Sequence, residues 1–420
     1  MVKGTVVILG GGIGGLIAAN NLRKKLPEEY KIILVEKNRT HSFAASYLWL
    51  IVNKRSPEQI SVPLIKLVPR NVELIFSEVK KINVDEKLIK LDRRNIKYDF
   101  LIIALGAELE AHSDKLTREA FSFYTLEEAV KLRDKLNTVT SGEIAIVIES
   151  LPYKCPGAPF EAAMLISKYF EGRNLKDKIG LNVFTPEPQP LPVAGPQLGK
   201  AVVDLLRSGK INFYPLHKLV KINEEDRKLF FENGNSYGYD LLITIPKHKA
   251  PDVVKDSGLT NESGLPAAGQ AGWIPVNRLT LETKFENVYA IGDVASITLP
   301  GRWSPDKPLP LPKAGVFAHS QAVVVSDIIA AKLLGKKAAA EFCADGFCML
   351  EAGEDLAGFA YGNFYGEPNP DVKLKKVGKI WHFSKVLFEK WWLTPDGPLK
   401  RLYRLILVLG SRIINVPIKF

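Results

Sequence analysis

The sequence predicts an α/β protein with two Rossmann-like dinucleotide-binding domains and a C-terminal amphipathic helical region. Three observations carry this. A β-branched run at residues 6–9 leads into a glycine loop and an apolar helix. The same strand–turn–helix design returns at residues 144–148 and 160–170, but its turn has a different composition. The last 40 residues place apolar side chains at three- and four-residue steps between basic ones. Buried parallel strands read as unbroken apolar runs, and amphipathic helices as a 3.6-residue repeat.

Composition sets the bounds. At 420 residues the chain is long enough for two or three domains with substantial cores. Its 46% hydrophobic and 25% charged content excludes wholesale disorder. No stretch approaches the roughly 18 consecutive apolar residues of a spanning helix. The amino terminus does not have the shape of a signal peptide, because its apolar run passes straight into glycines. The expectation is a protein kept in the cytoplasm, soluble or bound to a membrane surface. Three cysteines cannot pair completely and lack zinc spacing, which argues against a disulfide scaffold or a structural metal. The six histidines lack ligand spacing too. The formal net charge is +11, and residues 381–420 hold seven basic residues against two acidic ones, a net +5. A basic tail asks for an anionic partner, either nucleic acid or lipid headgroups.

Gly10, Gly12 and Gly15 follow the G-x-G-x-x-G spacing between a strand and a helix. Gly10 is expected to make the turn, Gly12 to admit a pyrophosphate, and Gly15 to let helix and strand pack closely. Residues 32–35 read as the second strand, ending in Glu36, which lies 21 residues past Gly15. A carboxylate there can bind both hydroxyls of an adenosine ribose and would repel a 2′-phosphate. Lys37 and Val79 are expected beside it on the same cofactor. Two further segments point to FAD. Residues 98–107 form a strand ending in a small-residue turn around Gly106, and residues 283–295 a strand ending in Gly292-Asp293. The second resembles the motif by which two-dinucleotide-domain flavoproteins hold the ribityl and pyrophosphate region of FAD. That resemblance implies the role for Asp293.

The motif order makes residues 1–112 and 246–340 two parts of one FAD-binding domain. Residues 113–245 are then an inserted second Rossmann-like domain, and residues 341–420 a C-terminal region. In a dinucleotide site the turn brings bare backbone to the pyrophosphate at a helix N-terminus. In the insert that turn holds Leu151, Pro152, Tyr153, Lys154, Cys155 and Pro156, with Gly157 as its one glycine. A nicotinamide nucleotide would meet side chains and prolines there, and a thiol. The proline-dense run 185–192 reads as a stiff extended loop. Residues 239–246 read as a buried strand returning to the FAD half.

The turn Lys154-Cys155-Pro156-Gly157-Ala158-Pro159-Phe160-Glu161 and residues 245–251 resemble sulfide:quinone oxidoreductases. So do residues 312–318, 347–350, 357–364 and 385–393. The resemblance covers nearly the whole chain and extends to the flavoprotein subunits of flavocytochrome c sulfide dehydrogenases. It implies a glutathione-reductase-like fold and FAD-dependent oxidation of hydrogen sulfide to polysulfide or sulfur, with electrons passed to a membrane quinone. It also implies that Cys155 and Cys348 face each other across the flavin. Sulfide attacks a cysteine di- or trisulfide, one cysteine keeps a persulfide, and the other is freed as a thiolate that feeds the flavin. Lys313, just before a helix, resembles the family's lysine near the flavin. Glu161 either takes the proton from incoming sulfide or is an ordinary first-turn helix-dipole glutamate.

Two departures matter. Many members carry a third cysteine between the first domain and the second-domain turn, and this chain has none there. Either that thiol is dispensable or Cys343 substitutes, and Cys343 also competes with Cys348 as the partner of Cys155. Residues 42–48 offer no thiol to tether FAD, so non-covalent binding is expected.

In the tail, Leu402, Leu405, Ile406, Leu409, Ile413 and Val416 form one apolar helical face with Lys400, Arg401, Arg404 and Arg412 off it. Upstream, residues 381–392 form an aromatic-rich amphipathic segment containing Trp381, Trp391 and Trp392. The pattern predicts helices in the headgroup layer on the cytoplasmic side of the cell membrane. Nucleic-acid binding would want a polar basic face with isolated stacking aromatics, so no nucleic-acid partner is expected. Packing against the protein's own core or a partner subunit is the competing reading, and a homo-oligomer is expected. Three rival functions stand beside the leading one. A type II NADH:quinone oxidoreductase needs a glycine-rich NADH loop where Cys155 sits. A flavocytochrome-type dehydrogenase would pass its electrons to a cytochrome. A membrane-associated flavin-binding protein would leave both cysteines inert.

Overall fold

The computed structural model describes residues 2–110, 119–260, 271–304, 306–414 and 416. The boundary expected at 112/113 and the tail residue Lys419 lie outside them.

The first unit runs β1 (Gly4–Leu9), α1 (Ile13–Lys25), β2 (Tyr30–Glu36), β3 (Glu73–Phe76) and β4 (Phe100–Ile103). Val6 to Leu9 are wholly buried, which is why the strand reads as an unbroken apolar run. Glycine is required where α1 crosses the end of β1, because a Cβ on Gly15 would sit 1.8 Å from the Gly10 carbonyl oxygen. The second unit runs β5 (Gly142–Ile148), α2 (Ala158–Gly172), β6 (Ile179–Phe184), β7 (Asn212–Tyr214) and β8 (Leu241–Ile245). Its sheet is all parallel in the order β7-β6-β5-β8. The chain then returns with β9 (Val288–Ala290), which completes a parallel sheet in the order β9-β4-β1-β2-β3. After it comes α3 (Gly315–Leu333), packed along α1. In both sheets the order reverses about the first strand, and such switch points open a crevice at the strands' carboxyl ends.

The fold class read from the sequence holds, with two corrections beyond residue 314. No 18-residue apolar run occurs in α3, which His319, Gln321 and Asp327 interrupt, although by length and mean composition it is apolar enough to cross a membrane. Its apolarity serves the core, where Val325 and Ile329 are wholly buried. Residues 341–420 are more than helices. An antiparallel meander of β10 (Asp345–Gly353), β11 (Leu356–Asn363) and β12 (Asp371–Gly378) precedes α4 (Lys379–Leu393) and α5 (Pro398–Ile413). Cys348 lies on β10, among residues that are half-buried on both faces and give no period-two signal. Finally, the tryptophans of α4 point inward. Trp381, Trp391 and Trp392 are 4–6% exposed, so they belong to the core and not to a headgroup belt. The exposed stripe is on α5, where Leu402, Leu405, Ile406, Leu409 and Ile413 are 45–83% exposed. Val416, expected on that face, follows the end of α5 and is buried with Phe359 and Trp381.

Candidate active site

A cavity of about 1550 Å³ occupies the crevice between the two units and the meander. The first unit contributes Gly12, Gly106, Gly292, Asp293 and Lys313 to its wall, the second-unit turn Cys155 and Glu161, and β10 Cys348. Gly10 and Gly15 are not part of that wall.

Cys155 is set by its backbone. Its φ is +51°, uncommon for a residue with a side chain. Its N–H donates to the Lys313 carbonyl at 2.7 Å, and its own carbonyl accepts from Ala158 N–H at 2.8 Å. Tyr124 Oη donates to the Lys154 carbonyl at 2.9 Å, and buried Tyr153 donates to Glu187 Oε2 at 3.1 Å. The turn is therefore tied on both sides. Two residues on, a Cβ added at Gly157 would lie 2.9 Å from Leu350 Cδ1 and 3.6 Å from Cys348 Sγ. The absence of that side chain lets β10 close on the start of α2, which brings Cys348 up to the Cys155 turn. Cys343 also opens onto the cavity, from the loop before β10, with Sγ 3.6 Å from the Glu341 carbonyl.

Cys155 has accessible surface, but that surface faces the cavity and not the outer surface of the protein. This confinement pushes its thiol up to about 11, with Glu161 adding to the rise and Lys385 opposing it. Burial pushes Cys348 up to about 12, and Cys155 and Glu161 add to it. Next to these thiols Glu161 and Lys385, 4% and 6% exposed, form a hydrogen-bonded ion pair. Burial pushes Glu161 up to about 7 against the pull of Lys385. For Lys385 burial works against the charge, yet Glu161 and Glu351 together hold it above the ordinary lysine value. The two shifts do not mirror each other because Lys385 faces two carboxylates while Glu161 faces one cation.

Lys385 is one of the seven basic residues counted in the tail, but the structure buries it. A signal was available. Lys385 falls four residues after Trp381, three before Phe388 and seven before Trp392, on the apolar side of the helical repeat. Glu389, one turn further, is buried too and pairs with Arg55 at 2.9 Å.

The first-unit wall fits a dinucleotide. Gly12 caps α1 without a side chain, the first turn carries no acid, and nothing lies within 4 Å of a Cβ placed on Gly12. A helix start of this kind accepts a phosphate through free N–H groups and the helix dipole. Gly106, at φ +73°, likewise faces open space. The Glu36 carboxylate accepts from Gly11 N–H at 2.7 Å and Asn38 N–H at 2.8 Å, at the edge of the glycine loop. Lys313 is 8% exposed, donates to the Asp293 carbonyl at 2.5 Å and sits 3.4 Å over the Trp273 ring; burial brings it down to about 7. Lys37 pairs with Glu108 at 3.6 Å, and Val79 is a core residue opening the strand Val79–Asn83. Neither of them lines the cavity.

Residues 4–321 match the pyridine nucleotide-disulphide oxidoreductase family, and the chain belongs to it. Within it, the sulfide-quinone reductase of Aquifex aeolicus is 28% identical over 396 residues, covering 92% of this chain and 90% of that protein. The mitochondrial sulfide:quinone oxidoreductase of Mus musculus is 27% identical over 308 residues, covering 70% of this chain and 66% of that one. The X-ray structure of the sulfide:quinone oxidoreductase from the hyperthermophilic bacterium Aquifex aeolicus matches with a TM-score of 0.82 at 25% identity. That match covers 99% of this chain and 96% of the other. The chain is a flavin-dependent oxidoreductase, and its resemblance to sulfide:quinone oxidoreductases holds over nearly its full length.

Proposed function

We propose that the protein oxidises hydrogen sulfide through the pair Cys155 and Cys348, beside a non-covalently held FAD, and passes the electrons to a membrane quinone. The observation that carries this is the approach of Cys348 to the Cys155 turn in a cavity that also reaches the glycine-loop cradle. Hydrosulfide attacks the sulfur–sulfur bond between the two cysteines. One keeps a persulfide and the other leaves as a thiolate with the bonding electron pair. Both thiols are pushed upward by burial, so the thiolate needs a nearby cation and the proton a nearby base. Lys385 supplies the charge, and Glu161, titrating near neutrality, takes the proton. When bound, FAD supplies the two-electron acceptor. Gly12, Glu36, Gly106 and Asp293 would hold it, with Lys313 braced behind Asp293.

The second-unit turn argues against NADH, since Pro152 and Pro156 have no N–H to offer a pyrophosphate. The first-unit face of the cavity near residues 43–48 carries Phe43, Ala44, Ala45 and Tyr47 and no thiol, in keeping with an untethered flavin. On the side toward α4, Phe347, Phe388 and Trp392 line the cavity, an apolar wall suited to a quinone ring. The exposed apolar stripe of α5, with Arg401 and Arg404 beside it, supports attachment to a bilayer surface.

An anaerobic titration tests the reading. Sulfide should bleach the flavin absorbance, a short-chain quinone should restore it, and NADH should leave it unchanged. Bleaching by NADH alone would overturn the proposal.

A further inference from the structure

Sulfide oxidation releases protons as well as electrons, and a chain of ionisable groups leads from Glu161 away from the cysteines to the surface. We propose that Glu161, Glu351, His382 and Asp355 form a proton-exit route from the cysteine pair to solvent. The inference rests on the sulfide-oxidising reading above.

The inner end is Glu161, whose charge is felt by both thiols and which accepts from the backbone N–H of Glu351. Glu351, on β10, is fully buried, and Lys385 feels both carboxylates. One oxygen of Glu351, Oε2, pairs with His382 Nδ1 at 2.8 Å, while Oε1 is buried with no partner among the described residues. His382 sits on α4 one turn before Lys385, so one helix face carries both groups. Its other nitrogen, Nε2, lies 3.5 Å from Asp355 Oδ1 in the turn after β10. The Asp355 side chain is 56% exposed and held by Lys54 at 3.0 Å. Lys379 adds its charge to that outer end, Trp49 stands edge-on to the His382 ring at 5.8 Å, and the Arg55–Glu389 pair lies on the same face of α4 one turn beyond Lys385, with Arg55 over the Trp49 ring.

A network that only braced α4 against β10 would satisfy both oxygens of a fully buried carboxylate, because an unpartnered one costs stability. An Oε1 with no partner among the described residues, beside an Oε2 bonded to His382, suits a group that receives a proton on one oxygen and passes one on from the other. The ring of His382 can take a proton at one nitrogen and release one at the other. Oxidation of one H₂S to the zero-valent sulfur of a persulfide releases two protons and two electrons. The electrons go to the quinone of the proposed reaction, whose reduction takes up two protons at its own site. Turnover therefore yields no net acid, and the route carries only the protons shed on the cysteine side, from a sulfur to Glu161, then by way of Glu351 and His382 to Asp355 and water. In the quinone-free half-reaction a bound flavin would keep one of the two protons, and the other is the one that reaches solvent.

The test mixes the oxidised holoenzyme with sulfide anaerobically in a stopped flow, recording flavin absorbance and a pH-indicator dye together. His382→Ala should slow dye-detected proton release and flavin bleaching at least tenfold, and added imidazole should restore both. Asp355→Asn, a surface change that spares the core, should slow proton release several-fold. Independently of turnover, the infrared band of the protonated Glu161 carboxyl should exchange in D₂O more slowly in His382→Ala. Wild-type proton release in both variants, or a slow His382→Ala that keeps its melting temperature and ignores imidazole, would overturn the route. Wild-type flavin that sulfide cannot bleach would remove the functional reading and the route with it.

Discussion

The backbone N–H of Cys155 donates to the carbonyl of Lys313 at 2.7 Å. This bond joins the altered turn of the second unit to the segment that leads into α3, so main chain positions the thiol. Removing the sulfur leaves the bond intact, together with the Ala158 N–H bond to Cys155. Cys155→Ala should therefore melt within about 4 °C of the wild type, since the loss of one side chain open to the cavity costs little. Calorimetry of the holoenzyme checks this. A collapse in melting temperature would mean that the thiol has a packing role.

The buried pair Glu161–Lys385 makes a stability prediction. Lys385→Met leaves Glu161 and Glu351 without that buried cation, and breaking a buried pair from one side costs about 3–5 kcal/mol. Adding Glu161→Gln should recover part of that loss by removing one of the stranded charges. Urea unfolding of the two variants measures both steps. A loss in Lys385→Met no larger than that of a surface lysine would contradict the burial.

Glu161 also sets a pH dependence. Its carboxyl is pushed up to about 7 from an ordinary value of 4.5. Between those values the folded chain keeps a proton that the unfolded chain has lost. Its contribution to stability therefore falls as pH rises through that window and levels off above about 7. As a base it is competent only once deprotonated. Flavin bleaching at a fixed hydrosulfide concentration should therefore speed up as pH rises through about 7. Glu161→Gln should flatten that rise, and an unchanged profile in the variant would remove Glu161 from the proton transfer.

Attachment to a bilayer predicts a localised effect of charge. Replacing Leu402, Leu405 and Leu409 by Glu puts three carboxylates on a stripe that is 46–53% exposed and touches little else. Cosedimentation with vesicles containing anionic lipid should fall by at least tenfold, while sulfide-driven flavin bleaching in solution stays at the wild-type rate. Equal cosedimentation of variant and wild type would point to another binding face.

Much of this fold could be read from the sequence because its core strands are buried on both faces. Strands β1 and β5 are fully enclosed over Val6 to Leu9 and Ile146 to Ile148, and such burial leaves an unbroken apolar run. Cys155 stood out because a thiol between prolines is a poor core residue. The C-terminal region was harder. An aromatic amphipathic face looks the same whether lipid or protein covers it, and only the packing shows that Trp391 and Trp392 turn inward. Lys385 and Glu389 were hidden by the habit of placing charges in water, although the helical repeat puts both with the tryptophans. His382 and Glu351 gave no spacing signal, since their contact joins α4 to β10 across 31 positions of sequence.

The central claim is that Cys155 and Cys348 are the working pair and Cys343 stands apart. Anaerobic flavin bleaching by sulfide in the three single alanine variants tests it most directly. Cys155→Ala and Cys348→Ala should each lose roughly a thousandfold or more in rate, as expected when one member of a unit is removed, and Cys343→Ala should retain bleaching within a few-fold of wild type. Wild-type bleaching in Cys348→Ala, or its loss in Cys343→Ala, would contradict the account.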